Sequence, residues 1–281
     1  MFVKLEHALD SPSSLDPRPT PIEQEGEGHE ILVASDAAIL TRVIVRGRGN
    51  RLIIEAGATI AAFAPAGFSP TVPDGGVAGP HALVIEGEGN TVRIGAGTRL
   101  GLNMTVRGQG NQVEIGQACH LHGFVNVLCS NARLAIGART TMVQGSIQLH
   151  EPGEILFGED CMISSQVYVS LSDIHPIFDR ATGQRINPAA SIHVGDHVWA
   201  GLRCMILKGA QVGDGAIIAA GSIVSGLAPG NAVVAGSPAR TLRENVEWRR
   251  DFSESISPAE TNTRVEAPPA RRRWRLFRPA T

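Results

Sequence analysis

Between two stretches of regular repeat lies the segment VYVSLSDIHPIFDRATGQRINPAASIHVGDHVW, which sets His175 beside Asp173 and Asp179. An imidazole has an unperturbed pKa near working pH, so it can take a proton from a reacting group and return it. Asp173 could hold that ring in one tautomer, or serve equally well as a surface turn residue. No Ser or Cys stands with a base in a nucleophile arrangement, so a covalent intermediate is not expected. His120 and His122 in HLHG fall at i and i+2, on one side of a strand, a disposition that could bind metal, with His150 further on. The spacing beyond His122 is wrong for a third ligand, and no metal is expected. His193 and His197 read as corner residues. Cys119, Cys129, Cys161 and Cys204 lie singly, form no CxxC pair, and read as reduced core or corner residues.

The elements that must position these groups are written in the period of the chain. From Val194 six consecutive hexapeptides read VGDHVW, AGLRCM, ILKGAQ, VGDGAI, IAAGSI and VSGLAP. Their first residues, Val194, Ala200, Ile206, Val212, Ile218 and Val224, are aliphatic. Their fifth residues, Val198, Cys204, Ala210, Ala216, Ser222 and Ala228, are small or β-branched. A six-residue period fits neither a helix nor a simple alternating strand. It fits a chain wound as a triangular prism, with one short flat strand per side, an aliphatic side chain pointing inward, and small residues at the corners.

A looser repeat precedes it: VIVRGRGNRLIIEAG, LVIEGEGNTVRIGAG, TVRGQGNQVEIGQA and NVLCSNARLAIGAR. Its Asn50, Asn90, Asn111 and Asn131 are read as corner residues, because Asn and Gly tolerate a left-handed backbone. The Pro- and Gly-rich run AAFAPAGFSPTVPDGGVAGPH reads as a loop thrown out from a coil. The expected organisation is an N-terminal segment 1–29, irregular coils over 30–170 and regular coils with the His175 loop over 171–240. A capping helix over 241–252, built on ENVEWRRDF, and a basic tail over 253–281 follow.

Composition narrows the classes further. The 281 residues are 43% hydrophobic and only 4% aromatic, with 32 glycines, which suits a thin layered core with tight corners. A net charge of -2 does not advertise nucleic-acid binding. No apolar run is long enough to cross a membrane, and the opening residues lack the apolar core of a secretory signal, so a cytoplasmic protein is expected. The tail RRRWRLFR is either a solvated basic end or a peripheral contact with a membrane surface, at the inner face, or with a partner.

The run SDIHPIFDRATGQRINP, then IHVGDHVWAG, ILKGAQVGDGAIIAAGSIV and VVAGSPAR, resembles the hexapeptide-repeat acyltransferases. It is most similar to their sugar and polysaccharide O-acetyltransferases, relatives of the galactoside and maltose enzymes. The resemblance is strong over about residues 165–245. It implies a left-handed parallel β-helix, all-β, with an extruded active-site loop and a short C-terminal cap, usually as a homotrimer. It implies acetyl-CoA as co-substrate and direct transfer to an acceptor hydroxyl, with His175 as general base and Asp173 as its partner. The backbone N–H of Leu202 would meet the thioester oxygen. Trp199 and Gly201 would form the wall and corner of the site, and Ala219 and Ala220 the edge along which pantetheine lies. Arg240 and Arg243 would meet the CoA phosphates. Asp179, Arg185 and Asn187 are expected to line the acceptor pocket. Relatives often carry a Thr-Lys pair where this chain has Ser225–Gly226, so Lys208 or another arginine is a substitute phosphate ligand. Three other readings stand beside this one. They are N-acetylation of an amino sugar or nucleotide sugar, a non-catalytic β-helix scaffold, and a zinc hydratase of the γ-class carbonic anhydrase kind.

Overall fold

The computed structural model describes residues 2–4, 22–62 and 81–251. The expected loop between the first two looser repeats and the basic tail fall almost wholly outside these residues. The described residues up to Trp248 belong to one unit, and among the described residues every regular element is a strand. Two sheets wind together into a parallel solenoid of about nine turns. The smaller sheet begins with Phe2–Lys4, antiparallel to Glu30–Ala34, and from there to Leu227–Ala228 forms one side of each coil. The larger sheet covers the other two. Met162–Ser170 shows this directly, because Met162 pairs with Trp199 while Tyr168 pairs with Met205. The solenoid already includes Ile22–Glu27, paired in parallel with Arg42–Arg48, inside the segment read as N-terminal.

The hexapeptide reading explains the core. Val194, Ala200, Ile206, Val212, Ile218 and Val224 are all at most 5% exposed, and the fifth-position residues are buried with them. One position departs from the pattern. Ala228 is not a corner residue, because it pairs with Val212 and takes the inward aliphatic place in the next coil. Ser225–Gly226 turns its corner with fewer residues than Lys208–Gly209–Ala210, so the sixth hexapeptide is cut short.

The looser repeats hold a different device from the one expected. Asn50, Asn90 and Asn111 are completely buried, and none has a positive φ. Asn90 donates its backbone N–H and its Nδ2 to the Asn50 Oδ1, both at 3.0 Å, and Asn111 donates its N–H to the Asn90 Oδ1 at 3.0 Å. The Asn90 Nδ2 also reaches the Gly108 carbonyl at 2.9 Å. These are rungs of an internal amide ladder, which satisfies backbone groups that a turning strand leaves unpaired. The left-handed backbone falls one residue earlier, at Gly49, Gly89 and Gly110, and Asn131, with φ 57°, takes that place in the next coil. Asn131 therefore belongs to the turn column and Ala132 to the ladder column, where its N–H meets the Asn111 Oδ1. Beside the ladder runs a column of glycines with no room for a side chain. A Cβ on Gly87 would lie 1.9 Å from the Gly108 carbonyl oxygen.

The expected capping helix over 241–252 does not form over its described residues, 241–251. Ala239–Arg243 instead turns back as a strand and pairs antiparallel with Val233–Gly236, Ala235 against Arg240. The physical reason is the open edge of the last coil, whose peptide groups a strand pairs and a helix would not. The chain then continues across the end, where Val246 donates its N–H to the Asn231 carbonyl at 2.9 Å, and Trp248 is buried. Substituting Asn90→Ala should cost about 2–4 kcal/mol, because it strands the Asn111 N–H and the Gly108 carbonyl in a buried site. Urea unfolding reads this directly, and a loss under about 0.5 kcal/mol would show that the ladder does not stabilise the coils.

Candidate active site

Residues 171–191 leave the solenoid at one corner, between Met162–Ser170 and Ile192–Val194, and so give up the coil-to-coil hydrogen bonds. The segment replaces them from its own side chains. Asn187 is the hub, buried at 6% exposure. Its Nδ2 donates to the Asp173 Oδ2 and to the His175 carbonyl, both at 2.9 Å, and its Oδ1 accepts the Ile177 N–H at 2.5 Å. Arg185 forks onto Glu151 at 2.6 and 2.7 Å and donates to the Asn187 carbonyl at 3.1 Å. The Ser172 hydroxyl donates to Glu151 and accepts the Ile174 N–H at 2.9 Å. Lys208 closes the base of the loop by donating to the Asp173 carboxylate. Asp179 caps a tight turn, accepting the N–H groups of Ala181 at 2.9 Å and Thr182 at 2.7 Å.

This wiring reassigns several expected site residues. Asp173 makes no hydrogen bond to the His175 imidazole, its Oδ2 accepting instead from Lys208 and Asn187. The Lys208 ammonium, with the Asn187 amide, holds its carboxyl below the ordinary carboxylate range. Asn187 and Arg185 spend their polar atoms on the loop itself rather than on a pocket. Asp179 does the same, and hydrogen bonds from Thr182 lower its carboxyl. Lys208, a candidate phosphate ligand by sequence, is engaged at the loop.

His175 itself is exposed, and its imidazole has no hydrogen-bond partner among the described residues. Its backbone is gripped on both sides, the N–H donating to the Asp173 carbonyl at 2.7 Å and the carbonyl accepting from Asn187. The preceding Ile174 has φ 68°, a left-handed backbone that costs a β-branched residue of order 1–3 kcal/mol. The loop thus presents a bare imidazole from a firmly held and locally strained backbone.

The second group lies at a different corner, between Trp199–Ala200 and Met205–Leu207. Gly201 is required there, since a Cβ would come within 2.6 Å of the Ile218 carbonyl oxygen in the next coil. Leu202, 46% exposed, accepts the Gly221 N–H at 2.8 Å, while its own N–H has no acceptor among the described residues. The N–H of Ala220, stacked beneath it, is likewise unpaired, and Ala219 donates to the Val234 carbonyl at 2.9 Å. Two backbone donors without an acceptor among the described residues therefore fall in one column, on residues that are both exposed. Trp199 stands beside them, 36% exposed, its Nε1 at 3.4 Å from the Ser164 Oγ. The column continues toward Ala239–Arg243, where Arg240 and Arg243 are both exposed.

Several participants were not foreseen. Glu151 and Ser172 stand one coil apart, so the 21-residue spacing could have paired them. His197 does occupy a corner, with φ 52°, but its ring bonds Asp160 at 2.7 Å and stacks on Trp248 at 4.0 Å. His193 is a strand residue bonded to Glu154 at 3.1 Å. His150 bonds Gln148 at 3.1 Å. No three His, Cys, Asp or Glu side chains gather closely enough to hold a metal ion among the described residues. Burial pushes the Cys161 thiol up to about 11 and that of Cys204 up to about 12, as core residues.

A polysialic acid O-acetyltransferase of Neisseria meningitidis is 34% identical over 135 residues, covering 45% of this chain and 60% of that protein. A polysialic acid O-acetyltransferase of Escherichia coli O1:K1 / APEC is 37% identical over 132 residues, covering 47% of this chain and 43% of that protein. The crystallographically analysed polysialic acid O-acetyltransferase OatWY matches with a TM-score of 0.64 at 24% identity, over 86% of this chain and 97% of that one. Over about half of its length the chain is thus similar in sequence to these O-acetyltransferases. Its solenoid is the left-handed parallel β-helix of that group. The matches span less than two thirds of the length of the two curated relatives, and no protein-family model matches the sequence. No helix of the described residues is long and apolar enough to cross a membrane.

The loop network carries its own pH dependence. The Arg185 guanidinium, with the Ser172 hydroxyl, holds the Glu151 carboxyl down at about 2, against an ordinary value of about 4.3. Stability from a depressed carboxylate is present above the ordinary value and is lost as pH falls toward the folded value. Between pH 5 and 2 the wild type should therefore lose more thermal stability than Glu151→Gln. Identical slopes for the two proteins would show that the Glu151–Arg185 pair does not hold the loop.

Proposed function

We propose that this protein transfers the acetyl group of acetyl-CoA to a hydroxyl of a sugar or polysaccharide, as its relatives' names describe for polysialic acid. The observation that carries the reading is the column of unpaired backbone donors at Leu202 and Ala220, leading to Arg240. An N–H aimed outward from a rigid corner is the group needed to stabilise the oxyanion formed when a thioester carbonyl is attacked. The small Ala219 and Ala220 allow a pantetheine arm to lie close against the coil, and an arginine fork at its far end suits phosphate. The bare imidazole of His175 is suited to take the acceptor hydroxyl proton as the C–O bond forms, and to pass it to the departing CoA thiolate.

The two corners bear on the oligomer. Within one coil the His175 loop and Leu202 are separated by the side Met205–Leu207, roughly 10–16 Å of extended chain. A site using both groups is therefore most simply built from two copies, with His175 of one meeting Leu202 of another, as in a homotrimer. The loop supports this with apolar side chains left outside, Ile174, Ile177, Phe178 and Ile186, each 47–61% exposed.

With CoA running from Leu202 toward Arg240, the acceptor must approach from the opposite side of Leu202. The same column there holds Ser165, whose hydroxyl donates to the Gln144 Oε1 at 3.1 Å, and Ser164 beside Trp199. These are uncharged hydrogen-bonding groups, suited to an acceptor rich in hydroxyls.

Calorimetry with acetyl-CoA, followed by transfer assays on galactosides and sialic acid oligomers, tests the reading. His175→Ala should keep acetyl-CoA affinity and lose transfer by about 100-fold or more. Arg240→Ala should weaken acetyl-CoA binding, while Gln144→Ala should raise KM for the acceptor alone. A wild-type protein that binds no acetyl-CoA at high concentration would overturn it.

A further inference from the structure

The chain beyond the last coil returns to the wall of the candidate site. After Ala239–Arg243, which carries Arg240 and Arg243, the strand Val233–Gly236 is covered and Val246 is tied to the Asn231 carbonyl. Trp248 then lies only 5% exposed against groups from earlier coils. Its indole Nε1 donates to the His197 carbonyl at 2.8 Å, and its ring stacks on the His197 imidazole at 4.0 Å with the planes 6° apart. The His197 Nε2 meets the Trp248 carbonyl at 3.0 Å, and the Nδ1 meets the Asp160 carboxylate at 2.7 Å. The indole is thus fixed by stacking and by its Nε1–H bond, and the Trp248 backbone by its carbonyl bond to the same histidine. Its other neighbour is Trp199, with ring centroids 6.1 Å apart and planes tilted by 48°, an edge-to-face kind of contact.

Trp199 has no comparable support of its own. It is 36% exposed, and the one hydrogen bond of its indole among the described residues, to Ser164, is long at 3.4 Å. It sits on a two-residue strand, three residues before Leu202. We propose that Trp248 is a positioning residue, which braces the Trp199 indole in place beside the Leu202 corner and so shapes the donor site from the far end of the chain. Trp199 packs against one side of the brace, while the short segment 244–247 connects that brace to the strand bearing Arg240 and Arg243. The wall beside the thioester and the groups proposed for the CoA phosphates are then parts of one returning segment. This inference rests on the acetyl-CoA reading for its consequence, but the coupling of Trp248 to Trp199 does not depend on it.

The test uses the full chain labelled with 5-fluorotryptophan, the Trp199 resonance being assigned by Trp199→Phe. Trp248→Leu keeps bulk but removes the ring, and Trp248→Phe keeps a ring that can stack. Trp248→Leu should shift or broaden the Trp199 fluorine signal and weaken acetyl-CoA binding about tenfold, the scale of a lost aromatic pair. Trp248→Phe should stay within about twofold of wild type in affinity, with the Trp199 signal close to its original place. Should Trp248→Leu fail to fold, judged by its melting curve, His197→Leu removes the opposite half of the stack and should give the same pattern. An unmoved Trp199 signal in a folded Trp248→Leu or His197→Leu protein overturns the brace. So does unchanged acetyl-CoA affinity in a wild type that binds it. A wild type that binds no acetyl-CoA, yet shows the Trp199 shift, instead overturns the functional reading and leaves the brace standing.

Discussion

Parallel pairing of each coil with the next is the constraint on which the rest of this molecule depends. Once the N–H groups of one coil donate to the carbonyls of another, every residue acquires a fixed column and fixed neighbours. Those neighbours lie 18 residues away among the hexapeptides and 21 residues away in the earlier coils. Anything repeated inward is repeated against itself, so an interior polar group is tolerable only as a continuous ladder, as Asn50, Asn90 and Asn111 are. Anything repeated at a corner must fit the same tight turn, which is why small residues recur there. Alternating charges on the outside follow the same logic. Glu25, Arg46, Glu86 and Arg107 fall in register, so opposite signs meet where a slipped coil would bring like charges together.

The His175 loop is the place where that constraint is suspended. A segment that leaves the coil loses its backbone partners and must find others or remain mobile. Here Asn187, Arg185, Glu151, Ser172 and Lys208 supply them, and the cost of ordering the loop is met by polar side chains. This accounts for a cluster of charged and amide groups that a reader of the sequence would assign to substrate. Their geometry faces inward to the loop, and the one chemically capable group left outward is the imidazole.

How much was legible in the chain follows from the same physics. The hexapeptide core could be read because inward positions repeat at a period no other fold uses, and Val194 through Val224 are buried as that period requires. His175, Leu202 and Trp199 were picked out by their place in a motif, and the structure puts them at two corners. What could not be read was which partner a flexible polar side chain chooses. Asp173 is two residues from His175 in sequence, yet Lys208, 35 residues on, takes its carboxylate. Asn131 takes the left-handed turn that the sequence suggests, but Asn50, Asn90 and Asn111 do not, because buried ladders and left-handed turns favour the same residue type and differ only by one position of register. The terminal segment was misread because ENVEWRRDF has helical composition, whereas an open sheet edge exerts a stronger demand on the residues just before it.

A solenoid is stiff along its axis but offers no natural cavity, since each side is a flat stack of short strands. Chemistry on such a scaffold must come from features that break the stack without breaking the pairing. An unpaired N–H at a corner does so at no cost to the core, because only the Leu202 N–H lies outside the ladder, while its carbonyl accepts from Gly221 and Gly201 donates to Ile218. An extruded loop does so at the expense of its own hydrogen-bond network. The two devices occupy different corners because each needs one to itself: the loop replaces a turn, and the bare donor requires a turn to remain. On the proposed reading the two meet when one solenoid is set beside another, and the loop that carries His175 leaves Ile174, Ile177, Phe178 and Ile186 exposed.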